Sequence, residues 1–338
     1  MIRQLPVACL VASLLPAQDP IPAKAFLLDD HRCVAFVDLK ALRDRGIWED
    51  LEVSVLKFAF AQIEKENGFP LAALDRVTMV AEPPVERGMG ISVRPVCVLE
   101  GNRELGVPES VARGGWSKQT FGAYDVHHRG GGNDETCVCP RPEMRVTGNT
   151  DIVRPVLEGK PNLGQPCADV LSLLSGRGDN VAYLVIDVGT PLLRKTVLQR
   201  LLGETAWPEG DEPTFVLLRL RATGEADDPH LEVEAVIRHA KAAEGLAETD
   251  KLVDAWLEKT QKDPQFLGLK PLWPRLERKK DRTDVTLRFD LGRPREAVGH
   301  VALLMAPMLP RAPGRAEAKV EVVPPSEARP APQPKKDG

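Results

Sequence analysis

Phe215-Val216-Leu217-Leu218-Arg219-Leu220-Arg221 and Leu231-Glu232-Val233-Glu234-Ala235-Val236-Ile237-Arg238-His239 decide the fold of this chain. An Asp227-Asp228-Pro229 turn lies between them. A third run, ending at Leu291, alternates Val285, Leu287 and Phe289 with Thr286, Arg288 and Asp290. Strand side chains point alternately to opposite faces, so the pattern predicts antiparallel strands with one buried and one wet face. Glu232 and Glu234 are expected on the wet side. Leu252, Val253, Trp256 and Leu257 recur at helical spacing between the second and third strands, and Ala297 to Leu309 predicts a closing helix. Helices on one face of largely antiparallel sheet make an α+β architecture.

The N-terminal half carries the same signals in shorter form. Cys33 to Val37 is apolar, ends at Asp38 and precedes a helical stretch. Val181 to Ile186 ends at Asp187 and precedes Thr190-Pro191, an N-cap followed by a first-turn proline. This shared opening predicts two related α+β modules, residues 26–160 and 168–310. Leu51, Val55, Phe58, Gln62 and Ile63 fall at helical spacing, with a stop at Asn67-Gly68. Strands are predicted at Arg76 to Ala81 and Pro95 to Glu100. Tyr124 to Arg129 and Glu135 to Cys139 predict a hairpin across Gly130 to Asp134. A strand at Met144 to Thr147 leads into a helix from Asp151 to Leu157.

Both ends of the chain carry a compositional signature. Residues 1–17 have the pattern of a secretory signal peptide: Arg3, an apolar run from Leu5 to Leu15, then Ala17, with no acid before Asp19. That run is shorter than the roughly 20 apolar residues a membrane span needs. The expected location is periplasmic or extracellular, with no transmembrane span in the mature chain. Residues 311–338 mix Pro, Ala and both charges, and eight of the 30 prolines fall at or after Pro307. Such a segment buries too little apolar surface to offset its ordering entropy, so a disordered Pro-rich tail is expected. Within it, Ala318 to Val323 alternates like a short edge strand.

Charge and composition exclude some partners. A net charge of -4 leaves no basic footprint for nucleic acid, and Lys279-Lys280-Asp281-Arg282 reads as a solvated turn. Aromatic residues make up 5% of the chain, too few for a surface that works by stacking sugars or bases. Three stretches carry a family resemblance: Cys33-Val34-Ala35-Phe36-Val37-Asp38-Leu39, Leu74-Asp75-Arg76-Val77-Thr78 and Val146-Thr147-Gly148-Asn149. With these the chain resembles, over most of residues 26 to 310, the secreted proteins of unknown function found in large sets in planctomycete-type bacteria. The resemblance implies no catalytic residues.

The hairpin holds the candidate chemistry. If Arg129 pairs with Glu135, His127 faces Cys137 and Asp125 faces Cys139, all on one face, with Tyr124, Val126 and Val138 on the other. Imidazole and thiolates suit zinc or copper, so Asp125, His127, Cys137 and Cys139 are the candidate metal ligands. A slip of one residue instead sets His128 against Cys137. Without Cys9, five cysteines remain after cleavage: Cys33, Cys97, Cys137, Cys139 and Cys167. In an oxidising compartment a bridge from Cys97 or Cys33 to the hairpin is the expected state, with an odd thiol left over. Cys167 follows Pro166 at a predicted helix start. Arg177-Gly178-Asp179 matches the adhesion tripeptide but reads as a turn after a helix from Asp169 to Ser175.

The chain has no G-x-S-x-G elbow, no H-E-x-x-H, no phosphate loop and no dinucleotide fingerprint. The resulting expectation is an exported, non-catalytic protein with a binding or cell-envelope structural role toward an envelope or extracellular partner, using no cofactor. Two other readings stand beside it: a metal-binding or redox protein built on the hairpin, and a secreted hydrolase without a recognisable motif.

Overall fold

The computed structural model describes residues 26, 33–52, 57–82, 85–87, 90–92, 94–131, 134–160, 180–199, 202, 207–225, 228–241 and 244–305. The signal segment 1–17, the tail 311–338, Val55, Cys9, Cys167, the helix from Asp169 to Ser175 and the Arg177-Gly178-Asp179 turn lie outside the described residues.

The N-terminal half opens with β1 (Cys33–Asp38), α1 (Leu39–Asp44), α2 (Ile47–Glu52) and α3 (Lys57–Asn67). It continues through β2 (Leu74–Ala81), the small hairpin of β3 (Val85–Arg87) and β4 (Gly90–Ser92), β5 (Pro95–Gly101) and α4 (Glu109–Arg113). Four strands follow, β6 (Ser117–Phe121), β7 (Tyr124–Arg129), β8 (Glu135–Arg141) and β9 (Met144–Asn149), closed by α5 (Thr150–Leu157). The second half runs β10 (Asn180–Asp187), α6 (Pro191–Leu193, continuing as a π-turn over Arg194–Gln199), β11 (Pro213–Glu225), β12 (Asp228–His239) and α7 (Glu244–Lys262). A 3-10 run over Pro264–Arg275 then leads to β13 (Leu276–Asp281), β14 (Asp284–Gly292) and α8 (Pro294–Met305).

Among the described residues twelve strands form one sheet in the order β13-β14-β12-β11-β10-β1-β2-β5-β9-β8-β7-β6. Every neighbouring pair is antiparallel. The halves meet where β1 pairs with β10, from Cys33 opposite Ile186 to Val37 opposite Ala182. Local chemistry starts the helices that leave these two strands. The Asp38 carboxylate accepts the Ala41 amide at 2.8 Å and caps α1, while the Thr190 hydroxyl accepts the Leu193 amide at 3.3 Å with Pro191 in the first turn.

Alternation splits the sheet into two apolar faces. On one face Val37, Val77, Leu99, Leu218, Leu220 and Phe289 pack under residues such as Leu42 of α1, Trp48 of α2, Val253 of α7 and Ala297 of α8. On the other, Val80, Val98, Val126, Val138 and Val146 pack with Ile152, Val153, Val156 and Leu157 of α5. Helices therefore cover both faces, which corrects the expectation of one covered face. The valine rows of β5, β9, β8 and β7 are apolar on the α5 side as well, and water-exposed valine costs about 1.5 kcal/mol or more per side chain.

Three other expectations change. Lys279 and Lys280 belong to edge strand β13, with the turn made by Arg282 and Thr283, the former at φ +49°. A strand so charged carries no apolar alternation to betray it. The described part of the predicted helix over Leu51 to Ile63 is split between α2 and α3, and Ile63 points out at 41% exposure. The four described cysteines are free.

Where β12 ends, a buried chain of hydrogen bonds ties it to α7. His239, only 2% exposed, donates from Nδ1 to the Asp211 carbonyl at 2.7 Å, because a carbonyl can only accept. Nε2 then accepts from the Thr249 hydroxyl at 3.0 Å, and that oxygen accepts the Trp207 indole N–H at 2.8 Å. The neutral imidazole satisfies every member. Burial pushes the His239 pKa below its ordinary value, against the smaller pull of the Asp211 carbonyl and the charges of Asp211 and Asp284. The unfolded chain takes up the proton near pH 6.5 and the folded chain only at lower pH, so stability is full above that point and falls as pH drops.

Two outcomes test this frame. Chemical denaturation should show the wild type losing more stability than His239→Gln between about pH 7.5 and about pH 5.5; parallel slopes would remove the histidine from the account. Gly148 of β9 lies against β5, where an added Cβ would sit 2.8 Å from both the Pro95 oxygen and the Val96 Cα. Gly148→Ala should cost about 2 kcal/mol or more in a urea melt, since backbone cannot yield as a side chain does.

Candidate functional site

One row of side chains crosses the N-terminal end of the sheet on the face opposite α5. Met79 of β2 stands opposite Cys97 of β5, Cys97 opposite Thr147 of β9, Thr147 opposite Cys137 of β8, and Cys137 opposite His127 of β7. The period of two puts Cys139, Arg145 and Asp125 on the same face. Cys137 is fully buried, and its sulfur accepts the Thr147 hydroxyl at 3.5 Å. Cys139, half-buried, donates to the Gly106 carbonyl at 3.3 Å. Met79 at the other end is 46% exposed.

Arg145 is the organising charge of this row. It is 2% exposed and makes no ion pair among the described residues. Its guanidinium is met instead by the end of α3: Nη1 donates to the Asn67 carbonyl at 3.2 Å, Nη2 to the Asn67 side-chain oxygen, and the Phe69 ring lies 4.7 Å beneath. A helix C-terminus and an aromatic face both favour a cation. Nε has no partner. Burial pushes the Arg145 pKa down, partly offset by the nearby sulfurs of Cys137, Cys139 and Cys97.

The sulfurs feel the same burial. It lifts Cys97 and Cys139 to about 11 and raises Cys137 and Cys33 as well, while the Arg145 charge pulls Cys97, Cys137 and Cys139 part of the way back. These are protonated thiols at neutral pH, and none is poised as a nucleophile. The expected bridge from Cys97 to the hairpin is absent because β9 and Thr147 stand between β5 and β8.

The predicted hairpin sets Arg129 opposite Glu135 and His127 opposite Cys137 as expected, but the ladder ends there and does not pair Asp125 with Cys139. Val126 and Val138 are buried on the far face, with Tyr124 packed against them. Of the four candidate ligands, His127 and Cys137 are brought together. Asp125 is exposed and accepts the Thr120 hydroxyl at 3.3 Å, and the Cys139 thiol is turned to Gly106. Among the described residues no three His, Cys, Asp or Glu side chains converge to hold a metal ion. Arg145 was not singled out from the sequence; a lone arginine among apolar neighbours on a strand was its only signal.

A second site lies at the far end of the sheet, on the other face. Glu234, 3% exposed, pairs with Arg219 and, at 3.4 Å, with Arg288. Glu232 pairs with Arg221 at 2.9 Å and Arg288 at 3.3 Å. The expectation of a solvated face for these carboxylates is corrected: opposed guanidinium groups let Glu234 be buried and Glu232 half-buried. The ladder opens into a cleft of about 280 Å³ lined by residues including Thr223, His230, Glu232, Arg275, Glu277 and Arg288. Arg275, exposed beside Glu277, has no ion pair among the described residues.

No family model matches the chain, and no curated protein matches it. Among solved structures, crystal form I of TP0453 aligns with 86% of this chain and 98% of its own at 8% identity, with a TM-score of 0.43. Crystal form III of TP0453 aligns with 84% and 98% at 11% identity, with the same TM-score of 0.43. The likeness is one of distant outline, and no residue role comes from it.

The thiol chemistry is directly testable by alkylation with peptide mapping. A rise from 9.0 to about 11 leaves roughly 100-fold less thiolate at pH ~8. Cys97 and Cys139 should therefore resist iodoacetamide in the folded protein and react at least that much faster in urea. Equal labelling in both states would contradict the burial assigned to them.

Proposed function

We propose that this is an exported protein that acts by binding in the periplasm or outside the cell, toward an envelope or extracellular partner, and not by chemical turnover. The observation that carries this reading is the charged cleft at the end of β11, β12, β14 and β13. Its carboxylates Glu232 and Glu277 both lie against Arg288, at 3.3 Å and 3.7 Å, while Arg275 stands at the mouth without an ion pair among the described residues. With both carboxylates engaged by Arg288, the Arg275 guanidinium is left to meet an anion. The Met1 to Ala17 pattern supports export, and among the described residues no helix is long and apolar enough to cross a membrane.

The organisation is read as two related modules, 26–160 and 168–310, with a disordered tail over 311–338. Strand order supports the relation. Outward from the centre the first five strands of one half run β1, β2, β5, β9, β8, before β7 and β6 extend that side, and the other half runs β10, β11, β12, β14, β13; in each the hairpin of the fourth and fifth strands is followed by a helix. Both opening strands also end in an aspartate before a helix.

Cell fractionation of the full chain, with intact mass of the recovered protein, tests the reading. The expected product is a soluble exported chain that has lost the residues up to Ala17. A cytoplasmic chain still starting at Met1 would remove the export reading. Calorimetry against small anions, comparing wild type with Arg275→Ala, tests the cleft: binding that is lost with the arginine supports it, and binding indifferent to it places recognition elsewhere.

A further inference from the structure

We propose that His127 and Cys137 form a two-coordinate site for a soft monovalent cation, copper(I), between β7 and β8. The two residues are directly opposed in the antiparallel ladder, where Cβ atoms lie about 4.5–5.5 Å apart, close enough for one ion to bridge the side chains. His127 supplies an unused donor: its Nδ1 is buried and has no hydrogen-bond partner, although the residue as a whole keeps contact with solvent. Cys137 supplies a sulfur with no exposed surface, engaged only as acceptor from Thr147. A buried ring nitrogen without a partner, on a residue directly opposed to a thiol-bearing one, is a costly arrangement to leave unfilled.

The number of ligands selects the metal. A structural zinc site needs four ligands in a tetrahedron, and here neither Asp125, bound to Thr120 in the open, nor Cys139, bound to Gly106, converges on the pair. Copper(I) is satisfied by thiolate and imidazole, and favours soft sulfur over the carboxylates nearby. Binding involves no electron transfer. The ion replaces the Cys137 proton, which leaves to solvent, and the Nδ1 lone pair of His127 completes the coordination while Nε2 keeps its proton. Arg145 lies near enough to favour the thiolate through its charge. The solvent-touching side of His127 is the way in.

The test is an anaerobic titration of the full chain, carrying Cys9→Ser and Cys167→Ser, with copper(I) held by bicinchoninate as the coloured competitor. One equivalent should transfer to the protein. His127→Ala and Cys137→Ser should each weaken it about 100-fold or more, while Asp125→Asn and Cys139→Ser leave it within about threefold of the parent. Affinity should drop about tenfold per pH unit as one proton competes, and equimolar zinc should not displace the copper. His127 is half-exposed, so its alanine variant keeps the fold, checked by a thermal melt, and carries the test if Cys137→Ser does not. No transfer, or transfer undiminished in His127→Ala, would overturn the site. Loss in Cys139→Ser would overturn it too, by moving the metal to the two cysteines.

Discussion

β1 and β10 lie side by side at the centre of the sheet, and each carries one half of the molecule outward from their shared ladder. Cys33 to Val37 against Ile186 to Ala182 is a short register, yet it sets where every later strand falls. Both apolar clusters cross it: Leu42 and Val37 share one with Val216 and Phe289, and Val34 and Val80 share the other with Leu217 and Val236. Because side chains repeat every two residues, a slip of one at this seam would exchange the two faces of half the sheet. The helices of that half would then meet polar residues, which is the energetic reason the seam holds its place.

What the sequence made legible follows from the same period of two. Long strands with one apolar side, such as β11, β12 and β14, were visible because alternation survives without knowing the neighbours. The hairpin of β7 and β8 was visible with its register, since Arg129 and Glu135 bracket a glycine turn. Edge strands β6 and β13 were not, because Ser117-Lys118-Gln119-Thr120 and Glu277-Arg278-Lys279-Lys280 bury little on either side. The second covered face was also hidden. The apolar side of β9, Met144 and Val146, looks the same whether a helix or water lies above it, and only the fold brings α5 there.

The candidate sites divide in the same way. His127 and Cys137 were found because opposition across a hairpin is a local property. Arg145 was missed because its partners, Asn67 and Phe69, lie far away in the chain and meet it only after α3 has folded over the sheet. Glu232 and Glu234 were seen but placed in water, since alternation reports polarity and not pairing. Their guanidinium partners sit on β11 and β14, one of them 54 residues away in the case of Arg288 and Glu234. Charge buried by mutual pairing leaves the same trace in a sequence as charge that is simply hydrated.

Two of the four strands that escaped sequence reading, β6 and β13, are also those that end the described sheet. β6 exposes Ser117, Lys118, Gln119 and Thr120, and β13 exposes Glu277, Lys279, Lys280 and Asp281. A bare edge offers unpaired backbone groups to any strand that drifts past, and lysine along it makes a further strand dehydrate its charge before docking. A sheet this broad would otherwise be a template for its own extension from either side. Polar, lysine-bearing edges at both ends of the described sheet therefore work against two copies pairing edge to edge.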